Sequence, residues 1–462
     1  MKQVCLLLAI FLCQSVFSND KPNIIFILVD DLGYGDLSCF GQKVVKTPHI
    51  DKLAEEGMKF TDFYSGSTVC APSRCVLMTG LHTGNCYIRG NGKDNLRPQD
   101  VTIPMVLKGA GYKTGLFGKW GLGHEGSEGT PLKKGFDEFF GYMDQHHAHN
   151  YYPTFLMDGE KRFPLKNVVP NEGKYGQGVA TKKVEYSHDL IMDRAVNFIN
   201  KNKDNPFFIY LALTIPHANN EAREKGMEVP SLYEFADKDW PEPAKGQAAM
   251  IRHLDNDINR LMKLLKANKI DENTIIFFTS DNGPHSEGGH VHTFFDANGK
   301  LTGQKRDLTE GGIRVPLLVR WPGKIKAGSV SNHNSAFWDV MATLADLSGT
   351  QKNLPEKHDG ISFANTLLNR GTQDKHDFLY WAFYERGSSQ AIRMGKWKVV
   401  QQPYYTPARL YNLDEDIAEQ NNLASKYPEL VSKMQKLMAG AYSPSERWKF
   451  QNQPAKKKKK KK

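Results

Sequence analysis

The sequence predicts an α/β fold: a large mixed, mostly parallel sheet sandwiched by helices, with a smaller C-terminal α+β subdomain (antiparallel sheet plus helix). Three observations carry this. Short apolar runs rich in Ile, Phe, Val and Leu recur over the first 350 or so residues, as strands buried on both faces do. Amphipathic helical patterns separate them, and strand alternating with helix argues for helices on both faces of one sheet. Beyond about residue 350 the runs crowd together and are divided by glycine turns.

Taken in order, residues 1–18 read as a secretory signal peptide. Lys2 gives a positive start, Val4 to Leu12 is apolar but too short to span a bilayer, and Val16 and Ser18 are small enough for a cut after Ser18. A lipoprotein cut before Cys13 is opposed by the bulky Leu12. The expected location is secreted or periplasmic, and no other segment is apolar and long enough to be transmembrane. The strand candidates are Asn23 to Val29, Tyr112 to Phe117, Pro206 to Leu213, Thr274 to Thr279 and Val315 to Val319. A first helix starts at Thr47-Pro48, carries Ile50, Leu53 and Ala54 on one face and stops at Gly57. Ser187 can cap a second, with Ile191, Ala195, Phe198 and Ile199 at helical spacing. Met250, Leu254, Ile258, Leu261 and Leu265 mark a third, and Phe337, Val340, Met341 and Leu344 a fourth that ends near Gly349. Phe378 to Tyr384, Gln390 to Met394 and Lys396 to Val400 read as antiparallel strands, and Pro428 to Met438 as an amphipathic helix. The expected domains are therefore 19–350 and 351–445, followed by a disordered tail over 446–462.

Composition narrows the function classes. Of 462 residues, 40% are apolar and 24% charged, which excludes wholesale disorder, collagen and a multi-span membrane protein. The formal charge of +10 is misleading: without Lys2 and the seven lysines from Lys456 to Lys462 it is +2. Nothing in the folded part demands nucleic acid, although the lysine run could hold an acidic polymer or surface. Six cysteines, two of them (Cys5 and Cys13) in the leader, do not make a disulfide framework. Cys39, Cys70, Cys75 and Cys86 remain.

In open α/β sheets, ligands bind beyond the carboxyl ends of the strands. The first run ends in Asp30-Asp31, the second leads to Gly118-Lys119, the third passes Pro216 to His217, and the fourth ends in Ser280-Asp281-Asn282-Gly283. Any one of these acids could simply cap a turn. Two adjacent carboxylates and a third, meeting an amide at equivalent strand ends, would repel without a cation, and oxygen ligands suit a hard ion, Ca²⁺ or Mg²⁺. In Cys70-Ala71-Pro72-Ser73-Arg74-Cys75, Pro72 opens a helix and leaves Cys70 at its N-terminus, where free N–H groups lower a thiol's pKa. Arg74 can grip an oxyanion with two prongs. The expectation is an activated cysteine beside an anion site; the alternative is a buried cysteine before an ordinary helix. His146, His147, His149, Asn150, Tyr151 and Tyr152 suit a sugar pocket or a surface loop, and His290 with His292 forms a weaker group of the same kind. Asp255 and Asp257 face different sides of their helix and are expected to be solvated.

Cys70 to Gly80 resembles the sulfatase motif C-x-P-S-R-x-x-x-x-T-G at every fixed position. Pro22 to Asp31, Gly118 to Gly123, Thr279 to Pro284, Gly303 to Pro316 and Leu410 to Ala424 resemble the same formylglycine-dependent family, of the alkaline phosphatase superfamily, over roughly residues 21–440. The resemblance implies hydrolysis of sulfate esters, with Cys70 oxidised to formylglycine by a separate formylglycine-generating maturation enzyme. It implies one calcium ion on Asp30, Asp31, Asp281 and Asn282 with Cys70 beside it. Arg74 and Lys119 would orient the hydrated aldehyde, Lys305 and His217 would contact the sulfate, and one of these two would protonate the leaving alcohol. A sulfated glycan is the expected substrate. One departure matters: many relatives have histidine two residues after the Lys119 equivalent, and this sequence has Gly121. His124 is not at the motif position. His285, after Asp281-Asn282, is a candidate for the missing base or for leaving-group protonation, and His147 and His149 for substrate contact. The alternatives are a phosphomonoester or phosphonate-ester hydrolase of the same superfamily, and a non-catalytic glycan-binding relative.

Overall fold

The structure, a computed structural model, describes residues 21–451. Residues 1–18, read above as a signal peptide, and the lysine run lie outside the described residues. In chain order the strands are β1 (Asn23–Val29), β2 (Met58–Phe60), β3 (Phe63–Tyr64), β4 (Lys113–Lys119), β5 (Glu138–Tyr142), β6 (Phe155–Asp158), β7 (Lys161–Pro164), β8 (Phe207–Ala212), β9 (Thr274–Ser280), β10 (Leu317–Arg320), β11 (Ser329–Ser331), β12 (Ser335–Ala336), β13 (Leu379–Phe383), β14 (Ser389–Met394), β15 (Trp397–Gln401) and β16 (Arg409–Asn412). The helices are α1 (Pro48–Glu55), α2 (Cys70–Thr79), α3 (Ile103–Lys108), α4 (Ser187–Asn202), α5 (Glu242–Ala267), α6 (Glu310–Ile313), α7 (Trp338–Ser348), α8 (Ala364–Leu368) and α9 (Pro428–Gly440).

Ten strands form one sheet in the order β11-β2-β10-β9-β1-β8-β4-β5-β6-β7. Its centre is parallel: β1 pairs with β8 and β9, and β4 with β8 and β5. The flanks make it mixed, because β10 runs antiparallel to β9, and β6 antiparallel to β5. The run Val315 to Val319 is thus a buried strand as expected, but its burial carries no information about direction.

Every residue of β1 is buried, and its two faces serve two cores. Ile24, Phe26 and Leu28 pack with α2, α3 and α7; Ile25, Ile27 and Val29 pack with α1, α4 and α5. Each such aliphatic side chain contributes about 1.5–3 kcal/mol relative to exposure. The period-2 alternation therefore puts helices on both faces, as the apolar runs predicted.

Two local expectations need correction. Asp255 is not solvated. It is fully buried, and its Oδ1 accepts the N–H groups of His49 (2.9 Å) and Ile50 (2.8 Å), capping α1 from the neighbouring helix. Asp257 is also buried, 2.7 Å from His188. Helix α5 is covered by α1 and α4 on the flanks these carboxylates point to. Ser187 does not cap α4; its hydroxyl donates to the carbonyl of Tyr151 at 2.9 Å.

The C-terminal strands β13 to β16 form an antiparallel sheet. Leu379, Trp381 and Phe383 face the main core, whereas Tyr380, Ala382, Ile392 and Val399 lie under Met434 and Met438 of α9. A buried charge joint ties this sheet to the large one. Lys398 Nζ lies 2.8 Å from Glu310 Oε1 and 3.1 Å from Glu419 Oε1. Glu310 also takes Arg314 (3.0 Å) and the Tyr64 hydroxyl (2.7 Å). Packed chain continues beyond residue 445: the Trp448 indole donates to the Tyr87 carbonyl at 3.1 Å, and the Phe450 ring stacks on Tyr404.

Candidate active site

The parallel register decides what meets at the sheet edge. Val29 lies opposite Ser280, so Asp30-Asp31 and Asp281-Asn282 leave the sheet side by side. Gly118 lies opposite Ala212, which brings Lys119 next to the chain that leaves β8 and turns through the cis Pro216 to His217. Helix α2 opens at Cys70 against this edge, and its Sγ is 3.5 Å from Asp30 Oδ1.

Around these carboxylates the basic groups close in. Arg74 gives Nε and Nη2 to Asp281 Oδ2 (3.1 and 2.9 Å) and Nη1 to the Lys119 carbonyl (3.0 Å). Lys119 Nζ lies 2.6 Å from Asp30 Oδ2. Lys305 Nζ reaches Asp31 Oδ2 (2.8 Å) and His217 Nε2 (3.0 Å). The acids are therefore not uncompensated, as the sequence suggested: Asp30, Asp31 and Asp281 face Arg74, Lys119 and Lys305. Adding a dication would leave the mouth positive, which draws an anion.

The residues fit such a cation. Asp30, Asp31, Cys70 and His217 each offer a ligand atom within 4.8 Å of the others. Asn282 donates Nδ2 to Asp31 Oδ1 at 2.7 Å, and its Oδ1 is buried without a partner. An orphan amide oxygen among carboxylates is a hard-cation donor. Burial alone would raise the Asp30 carboxyl, but Lys119 and Arg74 overcome it and hold it well below the ordinary range. Asp281 goes the other way, pushed up by burial and by Asp30.

The surroundings of Cys70 act against the lowering that its helix position suggested. Burial first, and then the Asp30 carboxylate, push its thiol up. Burial and Lys305 lower His217 to about 3. With Nδ1 2.7 Å from the Ala218 carbonyl, its neutral ring turns Nε2 toward Lys305.

The remaining predicted histidines divide. His149 joins the group: its ring stacks on His217 at 5.0 Å, and Nδ1 is 3.2 Å from Glu221. His285 also stacks near His217, at 6.0 Å, but both its nitrogens are engaged by backbone, Nε2 at the Pro216 carbonyl (3.1 Å) and Nδ1 at the Glu287 N–H (3.0 Å). His147 does not join them. It is buried between Tyr142 and Phe155, and burial lowers it to about 4. It lines a separate cavity of about 260 Å³ with His124, Arg162 and Tyr175. Tyr151 is likewise core, its hydroxyl donating to the Thr214 carbonyl at 3.1 Å.

Gly121 has φ +74, and a Cβ there would lie 2.7 Å from Cγ of Gln145. Gln145 thus fills the space a side chain at this position would need. It approaches Asn91 at 3.4 Å, whose Oδ1 accepts the Ala71 N–H (3.1 Å) beside Cys70. His124 is elsewhere, bonded to Asn95 at 2.9 Å.

Sequence reasoning missed Glu287 and Arg306. Glu287 contacts Lys305 (3.1 Å) and Arg306 (2.6 Å) at the partly exposed rim. Their only signal was position: Glu287 follows Asp281-Asn282 in one loop, and Arg306 adjoins Lys305. That second loop is held from the C-terminal sheet. Gln402 accepts from Leu308 N–H (2.7 Å) and donates to Asp307 (2.7 Å), and Thr302 donates to the Ala418 carbonyl (2.6 Å).

A family model for sulfatases matches residues 22–350, more than half of the chain. The chain belongs to the sulfatase family. As a sulfatase it is a sulfuric ester hydrolase. A second model, for the C-terminal part of N-sulphoglucosamine sulphohydrolase, matches residues 294–442. The sulfatase is 31% identical over 403 residues to N-acetylgalactosamine-6-sulfatase of Canis lupus familiaris, covering 82% of this chain and 71% of that protein. It is 30% identical over 500 residues to N-acetylgalactosamine-6-O-sulfatase of Bacteroides thetaiotaomicron, covering 91% and 93%. The crystal structure of Ps i-CgsB in complex with k-i-k-neocarrahexaose superposes with a TM-score of 0.77 at 29% identity, covering 93% and 95%. In this sulfatase, no helix among the described residues is long and apolar enough to cross a membrane.

Proposed function

We propose that this sulfatase removes sulfate from sulfated carbohydrates, with Cys70 matured to formylglycine and one calcium ion held by Asp30, Asp31, Asp281 and Asn282. The observation that carries the reading is the 3.5 Å approach of Cys70 Sγ to Asp30 inside a ring of Arg74, Lys119 and Lys305. The named activities of the dog and Bacteroides relatives, both on N-acetylgalactosamine, support a sugar substrate. Cys70 is buried, so maturation by a formylglycine-generating enzyme precedes final packing. The leader-like residues 1–18 support export to the periplasm or beyond.

The calcium would polarise sulfate oxygens, and the hydrated aldehyde would supply the attacking oxygen. The chain's own residues do the rest. Arg74, clamped by Asp281, and Lys119, clamped by Asp30, are fixed in a water-poor site and face the charge that develops on sulfuryl transfer. Lys305 carries the proton next to His217, and we assign it delivery to the leaving alcohol. His217 accepts from Lys305 and holds it in line. We assign His285 to positioning the Pro216 turn, because both its nitrogens are occupied, and His149 with Glu221 to the sugar.

The test is sulfate release from defined sulfated mono- and oligosaccharides by protein co-expressed with a formylglycine-generating enzyme. Turnover that disappears in Cys70→Ala, with the fold retained, is the expected result. Full activity in that variant, or faster release of phosphate than of sulfate from matched aryl esters, would overturn the reading.

A further inference from the structure

Away from the sheet edge, α4 and α5 hold a second convergent donor set. His188 and Asp189 come from the first turn of α4; His253 and Asp257 are one turn apart on one face of α5. His188 Nε2 lies 2.7 Å from Asp257 Oδ2, and His253 Nε2 lies 2.7 Å from Asp189 Oδ1 and 4.0 Å from Asp257 Oδ2. Ligand atoms of His188, His253 and Asp257 all fall within 4.8 Å of one another. The two imidazole rings are 5.1 Å apart, and Tyr186 walls the cluster at 5.7 Å from His253. The Tyr233 hydroxyl meets His253 Nδ1 at 2.5 Å.

We propose that His188, His253, Asp257 and Asp189 form a zinc site that clamps α4 to α5. Two imidazoles and two carboxylates make a neutral, four-coordinate set for a divalent ion, and nitrogen donors select zinc over calcium. Ligand atoms about 2.0–2.2 Å from zinc stand roughly 3.4 Å apart in a tetrahedron, within the 4.8 Å that His188, His253 and Asp257 already span, and Asp189 Oδ1 reaches the group through His253. To ligate, each Nε2 must be bare. The ring proton of His253 then sits on Nδ1, where the Tyr233 oxygen accepts it and fixes the ring. Asp189 is half exposed and gives the ion its way in.

The experiment uses the full chain carrying Cys70→Ala and Cys39→Ser, which removes the thiol beside the carboxylates and the partly exposed one and leaves, among the described residues, only the buried Cys75 and Cys86, with calcium in excess. Calorimetric titration with Zn²⁺ is expected to show one saturable equivalent, and Co²⁺ to give a tetrahedral absorption spectrum. His188→Gln and His253→Gln should each weaken binding at least about tenfold. Asp189→Asn, at the rim, should weaken it without threatening the fold. Absence of saturable zinc binding would overturn the proposal. So would binding undiminished in both His253→Gln and Asp189→Asn, or binding lost in Asp31→Asn but kept in those two.

Discussion

Replacing Lys398 with methionine removes a charge and keeps the length of the side chain. Lys398 is fully buried between Glu310 and Glu419. Glu310 keeps Arg314 and the Tyr64 hydroxyl, but Glu419 loses the one basic side chain within 4 Å of it among the described residues. Stranding a buried carboxylate costs about 3–5 kcal/mol. At roughly 2 cal/mol/K of unfolding entropy per residue over some 430 residues, that lowers the thermal midpoint by about 3–5 °C. Burial already raises the Glu419 carboxyl, and Lys398 opposes it. In Lys398→Met the folded pKa therefore climbs further above the unfolded one. A raised carboxyl binds its proton more tightly when folded, so the deficit is full above the folded pKa and fades as pH falls through it. Scanning calorimetry at pH 8 and pH 5 should show the larger loss at pH 8, and adding Glu419→Gln should recover most of it. A loss below about 1 °C at both pH values, or no recovery in the double variant, would refute the charge joint.

Three further outcomes follow. Arg74→Lys keeps the charge and loses the fork on Asp281, so kcat/KM on a sulfated sugar should fall about 10²–10³-fold; a drop under fivefold would show that the two-pronged contact is idle. Calcium at a hundred times its Kd should stabilise the protein by about 2.7 kcal/mol, read as a rise of roughly 3 °C, and Asp281→Ala should abolish that rise. Gly121→His should destabilise by about 1–2 kcal/mol from its left-handed backbone alone and more from Gln145. Adding Gln145→Ala should relieve only the second part; an unchanged thermal midpoint in the single variant would mean the loop yields freely.

Much of this was legible in the sequence because it depends on local pattern. The uninterrupted apolar runs of β1 and β9 read as strands buried on both faces, and the rule that ligands bind beyond the carboxyl ends of strands put Asp30, Asp31, Asp281 and Asn282 at one edge. What escaped depends on neighbours far along the chain. Asp255 reads as a surface acid until α1 is laid against it. His147 reads as a pocket ligand until Tyr142 and Phe155 enclose it. The helix start at Cys70 favours a low thiol pKa only until burial and the Asp30 carboxylate from the end of β1 are counted. Glu287 carried no motif at all, since its place at the rim comes from Lys305 and Arg306, which lie in another loop.

The grip of Gln402, Ala418 and Glu419 on residues 302–310 makes the small sheet a working part of the pocket. A chain ending at Gly349 would keep every acid at the sheet edge but lose the anchor of the loop that presents Lys305 and Arg306. Drift in the sequence of 398–419 can therefore shift Lys305 and Arg306 while leaving Asp30, Asp31, Asp281, Arg74 and Lys119 where the large sheet puts them. One constellation is thus assembled from two sheets, and a change in the smaller one reaches it without altering any residue in it.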